Sequence, residues 1–590
     1  MPKHSQTRTL IFGGNVLVLD GVTSPQQAMV VEGGRVLGAG SLDDMSMLAG
    51  SGARKFDLDG ATAMPGLVDS HPHFMHFTAI EAGCVNILDA RNFEEIVARI
   101  EERAKHTPKG QWIVTTPVGE PSYFVRRWYH DLEEGRMPDR KVLDRATSDH
   151  PVLIQAWAPR TPNIVAFNSL GLAAAGISSA TPDQVCNVRI EKDDDGQPSG
   201  VLRGAVNNYY VDDPFWLQIL AKLPQPPEQI WRHAGVEGQK LGNSLGVTAC
   251  YEAHCMEPEH ILAYRQIRED GQSTMRVSTA LEMFNVAFDP HAQITKETAL
   301  ARLALAKSLT ETDDELFRCS GTSLARGGPC WPGYLRIHDE MMDPWGKPTR
   351  GKTFIPQYIE KLVIEYCLDN DLRLNMVQGG YRDQDDFFES LSAFTGKYNI
   401  AERRWVSQHN ILIAKSHCDR LAELNMDVTT SVGFAWGKGD LYAERIGKHC
   451  WKDLIPLKRM VDAGINVACG TDWGPKNVFH QIALAETHEF SGSGHCNDTP
   501  DHKLTREESL LTWTRNPARV MMWDDEIGTL EAGKRADIAI VDRNPMTVAN
   551  HDLADTKVLQ TVLNGETVYD AGGLARFADH PHLVSAGHAA

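Results

Sequence analysis

The sequence predicts an α/β fold: a (β/α)8 barrel of the TIM type, with a small β-sandwich domain formed from both chain termini. Three observations predict it. Short β-like segments with turn signals stand at each end of the chain. Between them, apolar runs of strand length alternate with helix-length segments, the grammar of parallel βαβ units. Eight such runs can be counted, and eight is the closure number of this barrel.

The first part of the sandwich is 1–60. Val16-Leu17-Val18-Leu19 ends at Asp20-Gly21, and Ala28 to Val31 turns at Gly33-Gly34 into Arg35-Val36-Leu37, a tight-hairpin signal. The second part is 525–590, where Ala536 to Val541 and Val558 to Leu563 are strand-like and Asn564-Gly565 turns into Glu566 to Tyr569. Either end alone has too few strands to bury a face, so one sheet assembled from both is expected. The barrel occupies 61–524. Its predicted strands are Leu67 to Ser70, Gly246 to Tyr251, Arg276 to Leu281, Tyr334 to Ile337, Leu372 to Val377, Trp405 to Gln408, Val428 to Val432 and Ile465 to Cys469. A long insertion, about 85–245, follows the first strand and would lie over the barrel mouth. It has its own hairpin, Val188-Arg189-Ile190 and Val201-Leu202-Arg203 around Asp193-Asp194-Asp195-Gly196. Its Trp112, Trp128, Trp157, Trp216 and Trp231 either line the pocket or form a small separate core, the plainer reading for most of them.

Composition narrows the class. Of 590 residues, 42% are hydrophobic and 23% charged, which excludes a disordered chain, a collagen-like fibre and a disulfide-stapled miniprotein. With 59 Lys+Arg against 78 Asp+Glu the net charge is −19, which argues against nucleic acid or an anionic membrane as partner; the enzyme reading below gives a small-molecule substrate as the expected partner. No stretch of about 18 apolar residues predicts a membrane span, and the first residues lack the apolar core of a signal peptide. Eleven Cys without a Cys-x-x-Cys pattern fit free thiols in a reducing cytoplasm. Homo-oligomerisation stays open.

Three motifs carry chemistry. Pro65-Gly66-Leu67-Val68-Asp69-Ser70-His71-Pro72-His73 ends an apolar strand with two His at i and i+2, facing the same way and able to share a cation. With 23 His, about one His-x-His is expected by chance, and His580-Pro581-His582 in the polar tail supplies such a copy, with no assigned role. The difference is placement after a strand. Asn466-Val467-Ala468-Cys469-Gly470-Thr471-Asp472 ends the last strand; Asp472 either binds the metal and takes a proton from water, or caps the next helix. His409, after Arg404-Trp405-Val406-Ser407-Gln408, is either a ligand or a satisfied structural residue.

Together these motifs resemble the amidohydrolase superfamily, and within it the YtcJ-like branch (amidohydrolase family 3), which includes N-substituted formamide deformylases. The resemblance spans nearly the whole chain. It adds Gly246-Val247-Thr248-Ala249, a dispersed match from Pro151-Val152-Leu153 to Gly176-Ile177, Gln408-His409, Gly470-Thr471-Asp472-Trp473, Leu504-Thr505-Arg506-Glu507-Glu508 and the closing Ile527-Gly528-Thr529-Leu530-Glu531-Ala532-Gly533-Lys534-Arg535-Ala536-Asp537. It implies a metal-bearing barrel beside a sandwich from both termini.

Departures from the family pattern matter. A fourth-strand Lys that can bridge two metals is aligned with Arg336, which cannot ligate a cation. The segment after the fifth strand, where the family has a further ligand, reads Val377-Gln378-Gly379-Gly380-Tyr381. A frequent Glu is Gly204. The economical reading is one divalent metal ion, zinc first with manganese or iron as alternatives, held by His71, His73 and Asp472 with His409. Glu252 or His254, at the end of the second strand, and His338 are candidate substitutes, each also readable as a satisfied polar residue. Arg336 either grips a substrate carboxylate or pairs with Asp339, and Gln378 is a candidate substrate contact.

Three functions follow in order: a metal-dependent hydrolase of an amide-like C–N bond, with Asp472 and His409 catalytic; a metal-dependent decarboxylase, hydratase or other C–C bond enzyme; and a catalytically inactive binding protein.

Overall fold

The computed structural model describes residues 7–119, 127–156, 162–208, 210–224, 229–289, 291–311, 314–328, 330–343 and 345–578. Eight parallel strands form one sheet in chain order: strand 1 (Leu67–Asp69), 2 (Val247–Glu252), 3 (Arg276–Glu282), 4 (Phe317–Ala325), 5 (Arg373–Gln378), 6 (Val406–His409), 7 (Asp427–Thr430) and 8 (Val467–Cys469). Seven coincide with the predicted runs. They are buried on both faces, as a parallel sheet with an outer helical layer requires.

Strand 4 is the correction. It is Phe317–Ala325, while the predicted segment, Tyr334 to Ile337, is a buried loop following it. Ser320-Gly321-Thr322-Ser323 interrupts the apolar run, so hydrophobic periodicity passes over the segment. These small residues have a structural reason. A Cβ at Gly321 would fall 2.1 Å from the Arg373 carbonyl oxygen of strand 5, and Ser323 Oγ donates to Glu282 at 3.2 Å.

Strands 1 and 8 are the two ends of the sheet, and one carboxylate fastens them. Asp69 Oδ1 accepts from the backbone N–H of His71 at 3.0 Å and of Thr471 at 3.1 Å, and Oδ2 from Thr471 Oγ1 at 2.7 Å. Two backbone bonds run alongside, Ser70 N to Cys469 O at 3.2 Å and Asp472 N to His71 O at 2.7 Å. Between them lies Gly470. A Cβ there would sit 2.6 Å from the His71 nitrogen, so the close approach of the two strand ends requires glycine.

The termini form two facing sheets. Thr62–Pro65 of the N-terminal part pairs antiparallel with Ile538–Val541, which pairs with Val558–Leu563 and then Glu566–Asp570. The second sheet orders Arg35–Gly40, Ala28–Glu32, Thr9–Phe12 and Arg54–Asp57, and is wholly N-terminal. The expected single sheet is thus one of two. Ile11, Val31, Phe56, Ile538, Ile540 and Val562 make the core between them.

Within the insertion, Ile113–Thr115, Val152–Ile154, Asn163–Phe167, Pro198–Gly204, Val188–Lys192 and Gln184–Val185 form a six-stranded sheet. The predicted hairpin pairs Arg189 with Arg203 and Ile190 with Leu202. Trp216 is fully buried in this unit, 6.3 Å from Phe167. Trp112 and Trp128 pack in its cores and Trp231 packs beside the barrel core; Trp157, His580 and His582 lie outside the described residues. Among the described residues no helix is long and apolar enough to cross a membrane.

The closure predicts two outcomes. Asp69→Ala strands two buried amides and a hydroxyl, and thermal unfolding should report a loss of about 3 kcal/mol or more. Gly470→Ala should fold but push His71 aside, with turnover down by about 100-fold.

Candidate metal centre

Five of the candidate ligands stand at or just past the C-terminal ends of barrel strands, where (β/α)8 enzymes place their chemistry. His71 and His73 follow strand 1, His254 follows strand 2, His409 ends strand 6 and Asp472 follows strand 8. They converge. His71 Nε2 lies 2.9 Å from His73 Nε2 and 3.3 Å from Asp472 Oδ2; His409 Nε2 lies 3.2 Å from Asp472 Oδ2, and His73 Nε2 4.0 Å from Asp472 Oδ1. Gln408 Nε2 approaches His71 Nε2 at 3.1 Å. Asp472 does not cap the following helix. That cap is Asn477, whose Oδ1 accepts from His480 N at 3.2 Å.

The backbone is strained here. His73, His409 and Asp472 all sit in the left-handed region, with φ of 52°, 72° and 49°. Each non-glycine residue so held costs about 1 kcal/mol or more, and such strain persists only where surrounding structure imposes it.

Electrostatics sort the protons. Burial pushes the His71 and His73 imidazoles well below their usual value, with the neighbouring imidazoles adding to it and Asp472 opposing. Burial would raise the Asp472 carboxyl, but His71, His409 and His73 outweigh it and hold it well below the usual carboxylate range. Burial thus works against charge on the rings, while the imidazoles favour the ionised form of the carboxylate. Each neutral ring has one N–H, so the converging nitrogens and oxygens present more lone pairs than protons. His409 Nε2 has Asp472 as its side-chain partner, and His71 Nδ1, His73 Nδ1 and His409 Nδ1 have none. A divalent cation is the group that this buried donor set fits. His71, His409 and Asp472 offer ligand atoms all within 4.8 Å of one another.

His254 behaves differently. Burial opposes its charge, yet Cys255 and Glu282 outweigh burial and raise its pKa well above the usual imidazole value. Glu282 is the charge partner, with Oε2 2.8 Å from His254 Nδ1, because burial pushes the Cys255 thiol up and keeps it neutral. The opposite ring nitrogen of His254 lies 3.5 Å from the Tyr210 hydroxyl.

His73, His254, His409 and Asp472 line one cavity together with Tyr210, Cys255, Ala287, Phe288, Cys330, Trp331 and Trp473. Lys438 is buried behind it, Nζ 3.0 Å from Cys330 Sγ and 3.6 Å from the Trp331 ring centroid.

Three of the sequence candidates lie elsewhere. Arg336 is in the loop after strand 4, where its buried guanidinium bonds Asp383 at 3.1 Å and Asp386 at 2.5 Å, not Asp339. His338 is 62% exposed and pairs with Asp385 at 2.8 Å. Gln378 Oε1 accepts from Ser407 Oγ at 2.6 Å, below the cavity. Glu252 is buried on the far side of His73, accepting from Tyr264 Oη at 3.1 Å and Met75 N at 3.3 Å. Sequence reasoning missed Glu282, Tyr210, Cys330 and Trp331. Cys330 and Trp331 became invisible once strand 4 was sought too late in the chain; Trp473, by contrast, adjoins Asp472 in the motif itself.

Comparison with known proteins agrees with this architecture. The N-substituted formamide deformylase of Arthrobacter pascens is 25% identical over 586 residues, covering 96% of this chain and 98% of that protein. The putative amidohydrolase YtcJ of Bacillus subtilis (strain 168) is 22% identical, covering 92% and 96%. An uncharacterised metal-dependent hydrolase from Pyrococcus furiosus superposes with a TM-score of 0.67 at 20% identity, over 92% of this chain and 100% of the other, a likeness of fold. The sequence model of the Amidohydrolase family matches residues 54–569, and the chain belongs to that family.

Proposed function

We propose that the protein is a metal-dependent hydrolase that cleaves an amide-like C–N bond of a small molecule with an activated water. The observation that carries this reading is the meeting of His71, His73, His409 and Asp472, the last three of which line one cavity. Those four residues would hold a single divalent ion, with zinc favoured by the nitrogen-rich donor set. Bound there, such an ion supplies a lowered pKa for water and polarisation of the scissile carbonyl.

The chain's own groups do the rest. Asp472, ionised among neutral imidazoles, takes the proton of the attacking water at its carboxylate and passes it to the leaving nitrogen, giving acid and amine. His254, kept charged by Glu282, offers an N–H toward the cavity for the oxygen that gains negative charge. Phe288, Trp331 and Trp473 exclude water and pack an apolar N-substituent. Tyr210, from the 85–245 insertion, supports assigning that segment to the pocket wall. The similarity to a formamide deformylase makes N-substituted formamides the first substrates to try. A C–C bond reaction on an acid relied on Arg336, whose charge is taken up by Asp383 and Asp386. Free cysteines support a reducing compartment such as the cytoplasm.

Asp472→Asn should lower amine release from a panel of N-substituted formamides by about 10²–10⁴-fold with the circular dichroism unchanged; undiminished turnover removes Asp472 from the mechanism. Dialysis against a chelator should abolish release, and the first equivalent of Zn²⁺ should restore it. The pH profile gives a further readout. His254 is charged below its raised pKa and loses its proton as pH climbs through it, so kcat should fall on the alkaline side. In Glu282→Gln that limb should move to lower pH.

A further inference from the structure

A second buried cluster stands beside the first. His76, on the helix Phe74–Gly83 that follows strand 1, is 4% exposed, and neither of its ring nitrogens bonds another side chain, the Cys255 backbone being its polar neighbour. Glu252, closing strand 2, is 1% exposed. One ligand atom from each of His73, His76 and Glu252 lies within 4.8 Å of the others.

Burying an imidazole with no side-chain partner costs free energy, as does burying a carboxylate that feels the Lys476 charge without a hydrogen bond to it. A proton shared between Glu252 and an imidazole would relieve both, yet the only bonds Glu252 accepts among the described residues come from Met75 N and Tyr264 Oη. Burial brings His76 down to about 4, so its ring is neutral and carries a lone pair. Phe288 stacks on His76 at 6.1 Å and also lines the cavity, which gives an ion a way in.

We propose that His76, Glu252 and His73 form a second site for a divalent cation of the zinc class, separate from the His71–His409–Asp472 group. Two imidazoles and a carboxylate are a zinc-type donor set. The site is unrelated to a bridged pair on strand 4, where Ser323 is occupied with Glu282. It joins the helix after strand 1 to strand 2 and fixes His73 from the side opposite His71. A His73 ring serving both ions does so as an imidazolate, one nitrogen to each and its proton released to solvent.

The test is equilibrium dialysis of the metal-free full-length protein against Zn²⁺ with metal counting. Two equivalents are expected for the natural chain, and one for His76→Asn and for Glu252→Gln. Asp472→Asn should lose the other equivalent, so a failure of either site is seen separately. A natural chain that saturates at one equivalent, or His76→Asn that still takes up two, overturns the second site. Should both variants unfold, Co²⁺ titration of the natural chain decides by visible absorption: two steps support the proposal, and one step overturns it.

Discussion

The barrel and its site depend on one buried carboxylate. Asp69 accepts two hydrogen bonds from Thr471, just past strand 8, and one from His71 on its own side, and thereby joins strand 8 to strand 1. With the two backbone bonds beside it, this contact brings His71 next to Asp472, which stand about 400 positions apart in the chain. Burial pushes the Asp69 carboxyl up, opposed by the Lys476 ammonium and the hydrogen bonds it receives. Lys476 in turn donates to Pro72 O at 2.6 Å and to the Asp472 carbonyl, so the same clamp holds the backbone on both sides of the candidate ligands. Closure and ligand placement are one construction.

That construction explains why local strain is tolerated. His73, His409 and Asp472 keep left-handed backbone, and His71 and His73 keep uncharged rings without solvent. Each feature opposes folding locally. They persist because the surrounding barrel core is large and continuous, running from Leu67 through Phe317 and Trp405 to Val467. A site assembled on strand ends inherits the rigidity of the sheet beneath it, which positions donors more closely than loops would.

Much of this was legible in the sequence, for identifiable reasons. Seven barrel strands are apolar runs with turn signals, and burial on both faces makes such runs conspicuous. His71, His73, His409 and Asp472 were legible because each ends such a strand. Strand 4 was not, since close contact with strand 5 requires Gly321 and the polar Ser323 where periodicity seeks apolar residues. Arg336, inside the segment expected as strand 4, and His338, just past it, belong to a loop fastened by Asp383, Asp386 and Asp385. Glu282 was overlooked because a carboxylate ending an apolar strand has no local mark; its meaning comes only from His254, 28 residues earlier.

The division of labour between the two carboxylates next to histidines is a matter of which partner keeps the proton. Asp472 faces several imidazoles that burial leaves neutral, so the negative charge stays on the carboxylate and is available as a base. Glu282 faces one imidazole, shares its Oε2 with the Cys255 amide and Ser323, and leaves the positive charge on His254. On the proposed function, Asp472 and His254 would be a base and an acid lining one cavity. Their separation in role arises from counting neighbours: where imidazoles outnumber the carboxylate, protons are scarce on the rings; where they match, the pair is an ion pair.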